Sequence, residues 1–363
     1  MKSRAPHIKV YLSDEGYGHI VRQRAVIEAI RRQCPDARFT LQTQRHLEVA
    51  QRMIPDVTPV NRFNNITWHK QPSGSPDVGN IKVQFNNYLE DSARWIDREL
   101  ENFNADLVIS DFVYEAFEVA HRKNVPAFGI AHFTWDWFFS KLYPPPLRTE
   151  VMDQFLDHAG KATRLFFPPF TPEEITNHFT NADEVPLILR GNINHKTVAP
   201  TRDFKVMIVD SGAGVLSGSV KKALETVRNL EGFRFFVNDR YACSNPNVET
   251  IDRNELLVDY FDEMDLIIGR AGFNTISECI GMRTPMLLLG EAANPEMVEN
   301  ILNLKKVHLG TFISMHTFES ELDVFLPAFL LHEYRFIKEQ MRQHSLQTNG
   351  AEIIAETINQ YLS

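Results

Sequence analysis

Three short segments carry residues whose types and spacing can do chemistry. The first is Asp14-Glu-Gly-Tyr-Gly-His-Ile-Val-Arg22. Gly16 and Gly18 permit close backbone approaches that a Cβ would block. His19 stands where this loop would open a helix, whose first N–H groups attract an anion, and imidazole is a base suited to neutral pH. Arg22, about one turn further on, is placed to meet a phosphate. A tight βα turn with a helix-entry histidine explains the same residues, so this segment alone is a weak signal. The second segment is Asp265-Leu-Ile-Ile-Gly-Arg-Ala-Gly-Phe-Asn-Thr-Ile-Ser-Glu278. A buried strand runs into Arg270 and Gly272, and a helix then starts with small polar residues, Thr275 among them, beside unpaired N–H groups where a phosphate can bind. Glu278, one turn inside, suits a ribose diol; helix capping is the bland alternative. The third, Gly290-Glu-Ala-Ala-Asn-Pro-Glu-Met-Val-Glu-Asn300, puts Glu296 and Asn300 after a strand end. A solvated helix start with Pro295 near its first position explains them equally well.

Two further segments carry groups that could meet a ligand. Asp111 ends a strand, so its carboxylate should face a cleft or cap a loop. His132-Phe-Thr-Trp-Asp-Trp-Phe-Phe139 interleaves His132 and Asp136 with aromatic rings, Trp135 included, and such faces suit a sugar or another planar ligand. At helical spacing the same aromatics also read as core. No DxD motif and no His/Cys cluster with ligand spacing is present, so no metal is implied.

Positioning these groups falls to alternating strands and helices. Apolar β-rich runs at 8–13, 38–42, 106–110, 126–130 and 164–167 are separated by helical patterns, as in βαβ units of a parallel sheet. PLILR at 186–190 leads into the polar stretch of the linker, and 64–86 reads as a long polar loop. The pattern restarts at 204–210, with a small-residue turn containing Ser211, Gly212 and Gly214, and continues through strands at 233–238, 265–269 and 285–289. The expected organisation is an α/β chain of two doubly wound Rossmann-like domains with a cleft between them. Their limits are 1–190, a linker at 191–203, and 204–345, with an amphipathic helical pattern in the closing segment 346–363. In open α/β sheets, ligands sit beyond the carboxyl ends of the strands, where all three chemical segments fall.

Composition narrows the functions. The 363 residues suffice for about two domains, and 43% hydrophobic content with 26 Phe excludes a disordered chain. A net charge of −9 argues against a general nucleic-acid binder. The longest apolar run, Phe325 to Leu331, falls far short of a membrane span, and the start lacks a signal-peptide pattern. Cys34, Cys243 and Cys279 form no disulfide framework. A cytoplasmic location is expected, with peripheral membrane contact the less favoured reading.

In this order and spacing, the segments resemble GT-B glycosyltransferases. The RAG…TISE278 stretch is similar to the second domain of the bacterial N-acetylglucosaminyltransferases that make lipid II. GYGHIVR (16–22), DLVISDFVYEAFEVA (106–120), HFTWDWFF (132–139) and VPLILR (185–190) look like the glycosyltransferase-like half of plant L-arabinokinases. The resemblance implies a metal-independent, inverting transferase using a nucleoside-diphosphate sugar as donor, UDP-linked by preference, with no other cofactor. It makes His19 the candidate base and Asp111 its alternative. It assigns Arg270, Gly272, Thr275 and Glu278 to the nucleotide, and Glu296 and Asn300 to the donor sugar or the helix carrying it. The acceptor is left open among a sugar, a lipid-linked sugar or another molecule. The loop from Ser211 is sparser in glycine than the family's usual phosphate loop, and Met297 stands where many members have Gln. A nucleotide-sugar hydrolase and a non-catalytic nucleotide-sugar binder are the rival readings. A kinase is excluded by the lack of a GxxxxGK[ST] loop.

Overall fold

A computed structural model of the chain describes residues 4–13, 18–44, 47–54, 56–60, 66, 69, 77–142, 150–190, 194–210 and 216–362. They form two compact units, Met1–Gly191 with Thr348–Ser363, and Asn192–Gln347.

In the first unit, β1 (His7–Leu12), α1 (Gly18–Gln33), β2 (Arg38–Gln42), α2 (Leu47–Met53) and β3 (Thr58–Val60) are followed by the long α3 (Val78–Asn102). Then come β4 (Leu107–Asp111), α4 (Tyr114–Lys123), β5 (Ala127–Ile130), α5 (Trp135–Leu142), α6 (Glu150–Gly160), β6 (Arg164–Phe167), α7 (Glu173–Thr176) and β7 (Ala182–Glu184). The strands make one parallel sheet in the order β3-β2-β1-β4-β5-β6-β7. Period-two alternation sends Ile8, Val10, Leu107 and Ile109 to a core with α1, and Tyr11 and Val108 to a second core with α3 and α4. On that second face, Lys9 and Tyr11 both bond Glu99 of α3, so the one polar position of β1 that is buried is paired.

The second unit holds β8 (Phe204–Val209), α8 (Ser217–Thr226), β9 (Phe233–Asn238), β10 (Val248–Ile251), β11 (Leu266–Arg270), α9 (Phe273–Met282), β12 (Met286–Leu289), α10 (Pro295–Lys306) and β13 (Thr311–Ile313). Helices α11 (Met315–Ser320), α12 (Leu322–His332) and α13 (Tyr334–Gln343) complete it. Its sheet is also parallel, ordered β10-β9-β8-β11-β12-β13.

One expectation needs correction. Residues 78–86 are not loop but the first turns of α3, capped by the Asp77 side chain accepting from Asn80 N at 3.1 Å. Ile81, Phe85, Tyr88, Ser92, Trp95 and Ile96 form its buried stripe. In PLILR, Ile188 makes a single antiparallel bridge to Asn349, so this segment meets returning chain instead of joining the sheet.

That returning chain leads into α14 (Gly350–Asn359), which packs on α1 and ties to it through Arg32–Glu352 at 2.8 Å. Gly350 is buried where its N–H donates to Leu187 O at 3.1 Å, and a Cβ there would overlap the Pro186 carbonyl oxygen. Backbone cannot swing aside as a side chain can, so Gly350→Ala should cost about 1–3 kcal/mol. The check is a lowered urea midpoint at an unchanged slope.

Candidate active site

The carboxyl ends of β1 and β4 are neighbours in the first sheet, and the groups that matter meet there. His19, Arg22 and Gln23 lie at i, i+3 and i+4 on α1, hence on one face, and all three are buried against Asp111 at the end of β4. Asp111 has no exposed surface. It accepts from His19 Nδ1 at 2.8 Å, from Arg22 Nη2 at 2.7 and 2.8 Å, from Arg22 Nε at 3.2 Å and from Gln23 Nε2 at 3.3 Å. Burial alone would raise the Asp111 pKa, but the Arg22 and His19 charges and hydrogen bonds outweigh it and hold the carboxyl well below its ordinary range.

This arrangement fixes the tautomers of two histidines. An ionised carboxylate only accepts, so the 2.8 Å bond places a His19 proton on Nδ1, and in the neutral ring Nε2 then keeps the lone pair. Arg22 only donates, so His132 Nδ1, 3.0 Å from Arg22 Nη1, accepts, and the His132 proton sits on Nε2. Arg22 lies 3.2 Å from His19 Nδ1 as well, but both groups spend their protons on the carboxylate. The guanidinium is 2% exposed, so it serves as partner to Asp111 and His132 and not as the exposed phosphate contact its spacing suggests.

The turn after β4 is strained to make this possible. Phe112 has φ 45°, a left-handed conformation costing a non-glycine residue about 1–2 kcal/mol. Its ring packs against Tyr114, Phe117 and Phe167, while Ser110 Oγ accepts from Val113 N at 2.9 Å and donates to Val113 O at 3.0 Å. The reversed chain leaves Asp111 aimed at α1.

Further along the same sheet edge, Trp135 is 4% exposed and stacks on Phe139, making it core. Asp136 accepts from Tyr114 Oη at 3.2 Å, and burial raises its pKa. Asp136 and Trp137 line a cavity of about 230 Å³ with residues of α6, with Glu174 of α7 and with Phe179 beyond that helix. Trp137 and Glu174, bonded through the indole N–H at 3.0 Å, were not singled out by sequence, although Trp137 belongs to the same aromatic run as Trp135.

In the second unit, the carboxyl ends of β8, β11 and β12 present the other candidates. Gly272 caps α9, and a Cβ on it would meet nothing within 4 Å, so the helix start faces open space. Arg270 Nη2 pairs with Glu291 at 3.0 Å and lies 3.8 Å from Met297 Sδ. Thr275 is half-buried in the first turn, whereas Glu278 is 2% exposed. Asn300, 3% exposed, donates to Ala271 O at 2.9 Å and so braces the loop ahead of α9. Glu296 is half-buried in the first turn of α10, whose cap is Asn294. Asp210 accepts from Leu216 N at 3.1 Å and from Tyr241 Oη at 2.5 Å, bracing both flanks of the segment 211–215. Gly16, Ser211, Gly212 and Gly214 lie outside the described residues; Gly18 opens α1.

Among the described residues, one group has metal-ligand spacing: Glu118, Asp157 and His158. Lys161 reaches both its carboxylates, at 2.7 and 2.5 Å, and Arg122 reaches Glu118 at 2.5 Å, so side-chain cations already neutralise it. No helix among them is long and apolar enough to cross a membrane.

A sequence model of glycosyl transferase family 1 matches residues 8–329. The chain belongs to that family. This glycosyltransferase is 23% identical over 161 residues to the UDP-N-acetylglucosamine–N-acetylmuramyl-(pentapeptide) pyrophosphoryl-undecaprenol N-acetylglucosamine transferase of Thermosipho melanesiensis, covering 43% of the chain and 46% of that enzyme. It is 22% identical over 304 residues to the L-arabinokinase of Arabidopsis thaliana, covering 77% of the chain and 28% of that protein. The chain thus spans less than half the length of these curated relatives. The crystal structure of the calicheamicin glycosyltransferase CalG4 superposes with a TM-score of 0.73 over 99% of this chain and 98% of that one, at 14% identity. The glycosyltransferase has the GT-B fold of two Rossmann-like parallel sheets.

Proposed function

We propose that this glycosyltransferase moves a sugar from a nucleoside-diphosphate sugar, UDP-linked by preference, to an acceptor hydroxyl with inversion and without a metal. The observation that carries this reading is the buried His19–Asp111 pair with its proton on Nδ1. His19 Nε2 takes the acceptor proton as the acceptor oxygen bonds to the anomeric carbon. The bond from that carbon to the diphosphate oxygen breaks, and the imidazolium that forms is stabilised by Asp111. The diphosphate is held by the open N-terminus of α9 and by Arg270. The cavity beside Asp136 and Trp137 is the candidate acceptor pocket, its aromatic wall suited to a ring.

Thermal unfolding against UDP, GDP, dTDP, CDP and ADP tests the donor half of this reading. A nucleotide at 100 times its Kd adds about 2.7 kcal/mol, and Tm rises by roughly 2–4 °C per kcal/mol at this domain size. One nucleotide, UDP first, should give that shift. No shift from any of them removes Arg270 and the α9 terminus as a nucleotide site. With the matching sugar nucleotide, sugar released without an acceptor would instead identify a hydrolase.

A further inference from the structure

Arg270, the side chain given to the diphosphate, is already in use within the chain. It ends β11 opposite Leu289 of β12, so Glu291, two residues beyond Leu289, comes within its reach. Arg270 Nη2 donates to Glu291 Oε2 at 3.0 Å and lies 3.8 Å from Met297 Sδ. Both contacts come from the β12–α10 turn and the first turn of α10, and the start of α9 supplies neither. With its side chain 19% exposed, Arg270 lies against that turn.

The carboxylate is presented by a braced turn. Glu291 O accepts from Asn294 N at 2.9 Å, and the Asn294 side chain accepts from Met297 N at 3.2 Å to cap α10. Gly290 is seated on the same helix, since a Cβ there would lie 2.6 Å from Ile301 Cδ1. Among the described residues that end β8, β11 and β12 or open the helices after them, Arg270 is the one cation, while Asp210, Glu291 and Glu296 are carboxylates. A diphosphate reaching this edge therefore meets a single guanidinium that a carboxylate already neutralises. Keeping both anions on one cation sets like charges side by side, so one of them must yield.

We propose that Glu291 is an internal competitor of the donor: its carboxylate holds Arg270 on the β12–α10 turn until a nucleoside diphosphate takes the guanidinium from it. This rests on the donor reading of Arg270 and adds the group that decides when Arg270 is available. Carboxylate and phosphate both match the planar fork of a guanidinium, so the exchange swaps one oxygen partner for another and changes no covalent bond. It needs an anion, so a neutral nucleoside leaves the pair intact. The same pair serves the end of the cycle. As the nucleoside diphosphate departs after transfer, Glu291 takes Arg270 back and so favours release, a step that limits many enzymes.

Calorimetric titration of the full chain with UDP and with uridine tests this; where another nucleotide raises Tm more, its diphosphate and nucleoside take their place. Glu291→Gln keeps the shape of the side chain, and a partly exposed pair contributes little to folding, so the variant should fold. It should bind UDP about two- to fivefold more tightly than the wild type, the upper part of what such a pair contributes, and bind uridine equally. UDP should become a stronger product inhibitor by the same factor. In an Arg270→Met background the gain from Glu291→Gln should vanish, because nothing is left to compete for. Unchanged UDP binding in Glu291→Gln overturns the proposal, and so does weaker binding, which would mean that the carboxylate orients Arg270 for the phosphate. A gain of equal size in both backgrounds overturns it as well, as plain charge repulsion. A wild type that binds none of the diphosphates removes the donor reading and the proposal together, whereas a wild type that binds UDP with no response to Glu291→Gln removes the proposal alone.

Discussion

Replacing His19 with alanine should lower kcat about 10²–10⁴-fold, the usual contribution of a positioned general base. The variant should still fold. Asp111 keeps its Arg22 and Gln23 hydrogen bonds when the imidazole is gone, so no buried charge is orphaned. The nucleotide-induced rise in Tm should also survive, because the donor candidates Arg270, Gly272 and Thr275 belong to the other unit. Loss of turnover with an intact nucleotide response is the signature of a group that acts on the acceptor. Full turnover in His19→Ala would remove this residue from the chemistry. A fall in nucleotide response equal to the fall in rate would make it a donor-binding group instead.

Much of this was legible in the sequence, and the failures have physical causes. Strand alternation gave both parallel sheets, because βαβ units write their period locally. Residues 78–86 misled because Gly79, Asn80 and the polar neighbours of Ile81 and Phe85 look like loop until the stripe is followed through to Trp95. His19 and Asp111 were each found, but as alternative bases; nothing local says that residues 92 apart meet at 2.8 Å. The clue to Arg22 lay on the page as its i, i+3, i+4 spacing with His19 and Gln23. Three polar side chains on one helix face, next to a sheet, need a shared buried partner. Trp135 and Trp137 sit two apart in one aromatic run, and only the packing of α5 decides that Trp135 enters the core and Trp137 the cavity wall.

Asp111 should prove the most costly residue of the site to remove. In Asp111→Ala, Arg22 stays 2% exposed with its main counter-charge gone. Breaking a buried pair from one side typically costs about 3–5 kcal/mol. Arg22→Met in the same background should recover part of that loss, because the uncompensated charge is then removed as well. A double-mutant cycle read in urea midpoints would show this as coupling. The sign with pH follows from the folded carboxyl being held below its unfolded value near 3.9. Its stabilisation is complete above the unfolded value and fades as the pH falls through the folded one. The stability gap between the wild type and Asp111→Asn should therefore be widest near neutrality and narrow below about pH 4. A gap that stayed constant down to pH 3 would mean that lost shape, not lost charge, destabilises the variant. Activity should follow a different rule. Asp111 acts through His19, holding its proton on Nδ1 and offsetting the imidazolium, so the two losses should not add. His19→Ala combined with Asp111→Asn should turn over no more slowly than His19→Ala alone, whereas additive losses would mean that Asp111 touches the reacting atoms by itself.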